Sequence, residues 1–201
     1  MNDLEQARIL APEWNALREE LHKYPELGNC EKRTAKVIEQ RLNAVGVRTM
    51  RLLDTAVIGT LAGALPGRCV ALRADMDALP MREDSGKPYS SRNAGVAHTC
   101  GHDVHMAAAL GAAELLARRK DTLRGTVKFF FQPDEEGSGG AQRMIAAGCM
   151  KGVDAVFGAH VCPELPLGTV GVRYGKFYAA SDTFSIRITG RSCHGAQPER
   201  G

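Results

Sequence analysis

A short segment of the chain, residues 98–105, contains three of its six histidines together with one cysteine. Thiolate and imidazole groups are good ligands for borderline transition metals. Gly101 lets the backbone turn, so that the side chains of Cys100 and His102 can converge on one point. The segment therefore predicts metal binding by Cys100 and His102. The alternative is a histidine-rich helix entry that binds no metal.

Two further patterns extend this prediction along the chain. Glu135 and Glu136 are adjacent and follow an apolar run, and His160 follows the apolar residues 155–159. Neighbouring side chains normally diverge, so one carboxylate can hold an ion while the other moves a proton. Each pattern alone has an ordinary structural explanation, a helix N-terminal charge for the pair and a core histidine for His160. Together with Cys100, they favour a metal site.

Three other residues are candidates for supporting roles. Asp75 and Asp77 lie at the end of an apolar run, and a carboxylate commonly fixes the tautomer of a histidine that binds metal. Loop capping is the alternative for Asp77. His194 lies beside Gly195 in a turn, where an imidazole could donate to an oxyanion. From spacing alone, that segment is only a surface turn.

The elements that must position these residues alternate along the chain. Periodicity predicts helices over 4–22, 32–45, 104–118 and 140–147, and strands over 57–61, 69–74, 127–131 and 155–159. Alternating strands and helices indicate an α/β fold with a mostly parallel sheet flanked by helices. Ligand groups in such sheets gather beyond the carboxyl ends of the strands. We therefore expect the candidate residues to meet at one edge, with the strand 155–159 buried.

The pattern of predicted elements changes after His160. Residues 167–174 and 182–190 resemble strands without an intervening helix, and the second run alternates polar and apolar residues. We place a domain boundary near 178–181. The expected organisation is a catalytic metal-binding domain over 1–180 and the first strands of an α+β domain over 181–201.

Composition excludes several classes of protein. The 201 residues are 44% hydrophobic and 24% charged, which is enough to bury a core. The net charge is +3 and basic residues are scattered, so we expect no nucleic-acid partner. No apolar run approaches the ~18 residues of a membrane span. The six cysteines show no disulfide-framework spacing, and no secretory signal is evident, so we expect a cytoplasmic protein with free thiols.

Five ordered motifs resemble the M20 peptidase family, specifically its amidohydrolase branch. They are residues 72–80, 98–105 and 131–137, His160, and residues 194–198, and the segment 21–27 is also similar to the family's N-terminal part. That branch includes hippurate hydrolase, N-acyl-amino-acid amidohydrolases and plant auxin-conjugate hydrolases. The resemblance implies a zinc-peptidase-like catalytic domain with a lid or dimerisation domain, and a small N-acyl-amino-acid substrate.

The resemblance also assigns roles. It implies two divalent ions held by Cys100, His102, Glu136 and His160. Glu135 matches the family's general base. His194 matches a lid histidine that reaches the active site of the partner subunit, which implies a homodimer. Cysteine and histidine ligands favour Zn, Mn, Co or Ni over Mg or Ca.

Two features depart from the family pattern. Asp134 lies where relatives usually carry a small residue, and a carboxylate beside Glu135 could raise the pKa of that base. Relatives are also nearly twice as long, and their second half carries a further histidine ligand, so we expect this chain to be the N-terminal half. Three alternatives follow: an inactive fragment of such an enzyme, a non-catalytic protein with a structural zinc, and an enzyme with Cys100 as nucleophile.

Overall fold

The computed structural model of the chain describes residues 2–178 and 184–201. The chain divides into two compact units, Met1–Cys162 and Pro163–Gly201. The predicted boundary at 178–181 lies almost wholly outside the described residues. Helices and strands occupy the first unit, and the second contains a short 3-10 helix, Pro198–Arg200.

Helices of the first unit form where amphipathic periodicity predicts them. They are α1 (Asp3–Lys23), α2 (Lys32–Ala44), α3 (His102–Ala117) and α4 (Gly140–Ala146). Asn2 caps α1: its side chain accepts from the Glu5 N–H at 2.9 Å, and the Glu5 carboxylate accepts from the Asn2 N–H at 2.9 Å. This reciprocal pair satisfies two backbone donors that a helix start leaves free.

The strands of the first unit form one mixed sheet. They are β1 (Arg48–Leu52), β2 (Ala56–Ala62), β3 (Leu65–Asp75), β4 (Arg124–Gln132) and β5 (Ala155–Gly158), in the order β1-β2-β4-β3-β5. β3 pairs in parallel with both β4 and β5. β2 pairs antiparallel with β1 and β4. The predicted α/β fold is confirmed, and the sheet is parallel where the candidate residues lie.

Alternating side chains of β4 explain why the sheet is covered on both faces. Phe129 and Phe131 pack in a core with residues of α1, α2 and α3. Phe130 faces the opposite side, where it packs with Met144 of α4 and with Cys149. Because successive side chains of a strand point to opposite faces, three consecutive phenylalanines bury both faces of the central strand.

One predicted strand forms without its expected burial, and two predicted strands do not form among the described residues. β5 is exposed, with Phe157 at 60% exposure, because it is an edge strand that pairs only with β3 among the described residues. Residues 167–174 form no strand, nor does the described part of 182–190. A strand needs a neighbour to satisfy its backbone groups, and the described residues of the second unit supply none. Among the described residues, no helix has the length and apolar character that crossing a membrane requires.

The core in which Phe129 and Phe131 pack with α1, α2 and α3 yields a first prediction. Ile38 of α2 is fully buried in that core, whereas Ile9 of α1 is 64% exposed. We expect Ile38→Val to lower the free energy of unfolding by about 0.5–1.5 kcal/mol, because one buried methyl group is lost. Ile9→Val makes the same chemical change at the surface and should have almost no effect. Urea unfolding measures both, and equal effects of the two variants would contradict this core assignment.

Candidate metal centre

The parallel part of the sheet brings the candidate residues to one edge. Asp75 is the last residue of β3, Glu135 and Glu136 follow β4, and His160 follows β5. Since these three strands are parallel, their carboxyl ends meet there. Helix α3 begins at the same edge with His102.

Gly101 allows the turn that leads into α3. Its backbone is left-handed, with φ 89°, and a Cβ atom there would lie 2.4 Å from Cγ2 of Val161. A glycine tolerates both the backbone conformation and the close contact. The predicted turn between Cys100 and His102 is therefore confirmed.

Three overlapping groups of ligand atoms lie at this edge. They are Cys100, His102 and His160; Asp75, His102 and His105; and His102, Glu135 and Glu136. Within each group, the ligand atoms lie within 4.8 Å of one another. The Cys100 Sγ is 3.4 Å from the His160 Nε2. His102 is common to all three groups, so the geometry centres on its ring.

His102 is held so that one ring nitrogen faces the cluster. The ring is fully buried, and Nδ1 lies 2.8 Å from the Asp77 carbonyl oxygen, to which it donates. Nε2 is buried and, within the described part of the chain, has no hydrogen-bond partner. It lies 3.7 Å from a carboxylate oxygen of Asp75 and 3.8 Å from one of Glu136. A buried acceptor nitrogen without a donor, beside two carboxylates, fits a bound cation.

Burial and neighbouring carboxylates shift the pKa values of three groups in the cluster. Burial, followed by the carboxylates of Glu136, Asp75 and Glu135, raises the pKa of the Cys100 thiol to about 12. Partial burial and the neighbouring Glu136 raise the pKa of Glu135 above its usual range. Burial lowers the pKa of His102, but Asp77 and Asp75 outweigh it, so that this pKa is raised. A divalent ion would offset the carboxylate charge that contributes to all three shifts, and the residues present therefore fit a metal.

Asp75 and Asp77 hold the surrounding residues in place. Asp75 is fully buried, with Arg73 Nη1 and His105 Nδ1 each 2.6 Å from its carboxylate. Burial opposes ionisation of Asp75, but His105 and Arg73 outweigh it and lower its pKa to about 2. The Asp77 carboxylate accepts from the Glu136 N–H at 3.0 Å. Asp77 thus connects His102, through its carbonyl, to the loop that carries the two glutamates.

His105 has a different role from His102. Its Nδ1 donates to Asp75, and its Nε2 accepts from the Val161 N–H at 3.0 Å. Both ring nitrogens are therefore used, and the ring ties Asp75 to the segment that carries His160. Sequence reasoning did not assign this role. The spacing of His105 three residues after His102, one helical turn away, was the only available signal.

His98 and His194 are not members of these three ligand groups. His98 is 5% exposed, neither of its ring nitrogens has a hydrogen-bond partner among the described residues, and burial lowers its pKa to about 4. His194 lies in the second unit, where its Nδ1 accepts from the Ala196 N–H at 3.2 Å. The assignment of His194 to the active site stays a prediction.

The raised pKa of Cys100 yields a second prediction. The thiol is protonated throughout the neutral range without metal, so binding a cation as the thiolate must release a proton. We expect the apparent Co²⁺ affinity to rise about 10-fold per pH unit from this thiol alone. Cobalt titrations at several pH values measure the slope. Cys100→Ser should lower the slope of log affinity against pH by about one, and an unchanged slope would show that the thiol does not bind the ion.

The fold and the site together define an α/β protein with a candidate transition-metal centre at the carboxyl edge of parallel strands. Residues 71–198 match Peptidase family M20/M25/M40, and the chain belongs to that family. The family resemblance seen in the motifs is thereby confirmed.

Two relatives and one solved structure illustrate this membership. The chain is 44% identical over 186 residues to an N-acetyl-L-cysteine deacetylase of Bacillus subtilis, covering 92% of this chain and 45% of the relative. It is 45% identical over 186 residues to thermostable carboxypeptidase 1 of Saccharolobus solfataricus, covering 90% and 47%. A Bacillus subtilis structure described as a dinuclear metal-binding M20 peptidase matches with TM-score 0.80 and 40% identity, covering 83% and 47%. The chain thus spans about half the length of the curated relatives it matches.

Proposed function

We propose that this protein is a metal-dependent amidohydrolase that cleaves the amide bond of N-acyl amino acids. The observation that carries the proposal is the buried His102 Nε2, which lacks a partner among the described residues and faces carboxylates, beside a thiol and a second imidazole. Structural zinc sites are usually closed by four protein ligands. Here two adjacent carboxylates are exposed at the site, as a hydrolase needs if substrate is to reach them.

Four residues would hold the ions: Cys100, His102, Glu136 and His160. When bound, two divalent ions acidify a water molecule and polarise the substrate carbonyl. We infer Zn, Mn, Co or Ni, because thiol and imidazole groups prefer these metals to Mg or Ca. The matched structure described as dinuclear supports the number of ions.

Glu135 would be the general base. Its raised pKa brings it closer to neutrality than an ordinary glutamate, which suits a group that must accept a proton and then return it. Glu135 takes a proton from the attacking water as the new C–O bond forms at the amide carbon. It then gives that proton to the amine nitrogen as the C–N bond breaks. The products are a carboxylic acid and an amino acid.

The substrate class rests on the relatives. A deacetylase of N-acetyl-L-cysteine and a carboxypeptidase both release an amino acid from an amide, and they differ in what is attached to its nitrogen. We therefore propose a small amide whose amine product is an amino acid.

Three further features belong to the proposal. His194 would donate to the oxyanion from the partner subunit of a homodimer, and its motif falls inside the residues that match the family. We place the protein in the cytoplasm, where thiols stay reduced, because the spacing of the six cysteines is not that of a disulfide framework. The residues of the site include no nucleic-acid-binding motif, and the substrate is a small molecule.

A cysteine-nucleophile enzyme is the second candidate. The Cys100 Sγ lies 3.4 Å from the His160 Nε2, as a nucleophile and its base would. The raised pKa of the thiol argues against it, because a nucleophilic cysteine needs a lowered pKa. Chelator treatment separates the two mechanisms, since a cysteine nucleophile needs no metal.

The experiment that tests the proposal measures metal content by plasma mass spectrometry on the purified chain. Hydrolysis of a panel of N-acetyl amino acids is assayed on the same sample. We expect about two ions per chain and turnover that a chelator abolishes and added metal restores. Metal-free protein without turnover would contradict the proposal, and turnover insensitive to chelator would favour the cysteine mechanism.

A further inference from the structure

Asp134, immediately before the two candidate glutamates, has an unusual conformation and environment. Its backbone is left-handed, with φ 54°, and its side chain is buried, with the residue 5% exposed. Aspartate is one of the few residues other than glycine that adopt this conformation readily. A buried carboxylate also needs partners. The contacts of Asp134 therefore need an explanation beyond loop geometry.

The polar groups of Asp134 close the loop that carries the glutamates. Its carboxylate accepts from the Ser138 N–H at 3.0 Å, from the Ser138 hydroxyl, and from Arg143 Nη2 at 2.8 Å. Its carbonyl accepts from the Gly140 N–H at 3.0 Å. Glu135 and Glu136 thus lie within a loop whose two ends are joined through one residue.

The space around the carboxylate is shaped to receive it. A Cβ atom at Gly28 or at Gly137 would lie 2.3 Å from the Asp134 Oδ1. Both glycines leave room that the carboxylate fills.

A second buried carboxylate fixes Asp134 from behind. Glu31, fully buried before α2, accepts from the Asp134 N–H at 2.9 Å and from the Thr55 hydroxyl at 2.8 Å. On the other side of the loop, Asp77 accepts from the Glu136 N–H. The segment that contains the two glutamates is therefore held at two points. The Asp134 N–H donates to Glu31, and the Glu136 N–H donates to Asp77, which lies beside His102.

We propose that Asp134 is a positioning residue, which holds Glu135 and Glu136 against the metal centre. It does so through its buried carboxylate, which is paired with Arg143 and Ser138. The carboxylate fills the room left by Gly28 and Gly137. The inference rests on the proposed function for the role of those glutamates. The carboxylate acts through the loop, by its contacts with Ser138 and Arg143. A neutral side chain would lose the contact with Arg143, and alanine would also disfavour the left-handed backbone.

Hydrogen exchange of the metal-free chain tests the positioning directly. We expect Asp134→Ala to speed exchange of the Ser138 and Glu136 amides by about 10-fold or more, as the loss of a charge-assisted hydrogen bond predicts. The Phe130 amide in β4 should be unaffected. Asp134→Asn keeps the left-handed backbone and an acceptor for Ser138, so it should restore most of the protection. The control is Asp154→Asn, which loses a carboxylate that accepts from the Cys69 N–H at 2.7 Å, at the opposite end of β3.

Cobalt binding provides the second measurement. Asp134→Ala should weaken Co²⁺ binding about 10–100-fold, as loss of an outer residue does, and reduce the thiolate-to-cobalt absorption.

Arg143→Gln changes a partly exposed side chain and provides a variant that should fold if Asp134→Ala does not. It should accelerate exchange at Ser138 in the same direction. Unchanged exchange at Ser138 and Glu136 in either folded variant overturns the proposal, as does acceleration spread equally over β4. A wild-type chain that binds no Co²⁺ would overturn the metal site alone, because the exchange result would still decide the role of Asp134.

Discussion

Replacing Glu135 by glutamine is expected to lower the rate of N-acetyl amino acid hydrolysis about 100- to 10,000-fold, the usual contribution of a general base. Glutamine has nearly the same shape but cannot accept the proton from water. The backbone of the loop does not depend on the Glu135 side chain, because Asp134 and Asp77 hold it. Metal content should therefore stay unchanged. Steady-state turnover and plasma mass spectrometry on the same preparation measure the two effects.

The adjacent glutamate is the matched control. Glu136→Gln makes the same change one residue along, where the carboxylate lies 3.8 Å from the His102 Nε2. This variant should lose metal affinity first, and excess metal should partly restore its turnover. Added metal should not restore Glu135→Gln. Substantial turnover of Glu135→Gln, or rescue of it by metal, would contradict the assignment of the two roles.

The pH dependence of turnover offers an independent check on Glu135. Burial and Glu136 raise the pKa of its carboxyl group, and the base is active only when ionised. Activity should therefore fall on the acid side, as this carboxyl group becomes protonated. Bound metal would lower this pKa. The midpoint of the acid limb of the turnover profile should therefore lie below the pKa of Glu135 in the metal-free protein.

Much of the fold could be predicted because its signals are local. Helical periodicity over 4–22 and 32–45 matches α1 and α2 closely, and the apolar run 127–131 lies inside β4. β1 was missed because its five residues, Arg48–Leu52, include two arginines and lie half-exposed beside β2. Residues 167–174 have strand-like composition, but a strand forms only with a partner, and a pattern in one segment does not report its partner.

The candidate site could be predicted in outline for a related reason. Parallel strands end at the same edge, so residues that follow β3, β4 and β5 must approach one another wherever they lie in the sequence. The finer roles depend on contacts between distant segments. The Glu31–Asp134 hydrogen bond joins residues 103 positions apart, and no local pattern indicates it. The Asp134 carboxylate is hydrogen-bonded to Ser138 and Arg143, and its expected effect on the pKa of Glu135 stays a prediction.

The second large effect is expected at His102. Asparagine at this position can still donate to the Asp77 carbonyl, as Nδ1 does, but has nothing in place of Nε2. His102→Asn removes a direct ligand. It should therefore weaken Co²⁺ binding by more than about 100-fold, which is the upper limit usual for losing a residue that only hydrogen-bonds to a ligand. Competition with a chelator of known affinity measures this loss, and circular dichroism checks that the variant is folded.

His105→Asn is the control that makes the result specific. The histidine lies one turn further along α3, is nearly as buried, and its asparagine variant can likewise keep the Nδ1 bond, here to Asp75. Its Nε2 is occupied by the Val161 N–H, so His105→Asn should cost only about 10-fold in Co²⁺ affinity, the lower end of the range for an outer residue, through a less firmly held His160. Equal losses in the two variants would mean that the ion binds the group formed by Asp75, His102 and His105. In that case the thiolate-to-cobalt absorption from Cys100 should be absent as well, so the spectrum and the affinities together identify which ligand group binds the ion.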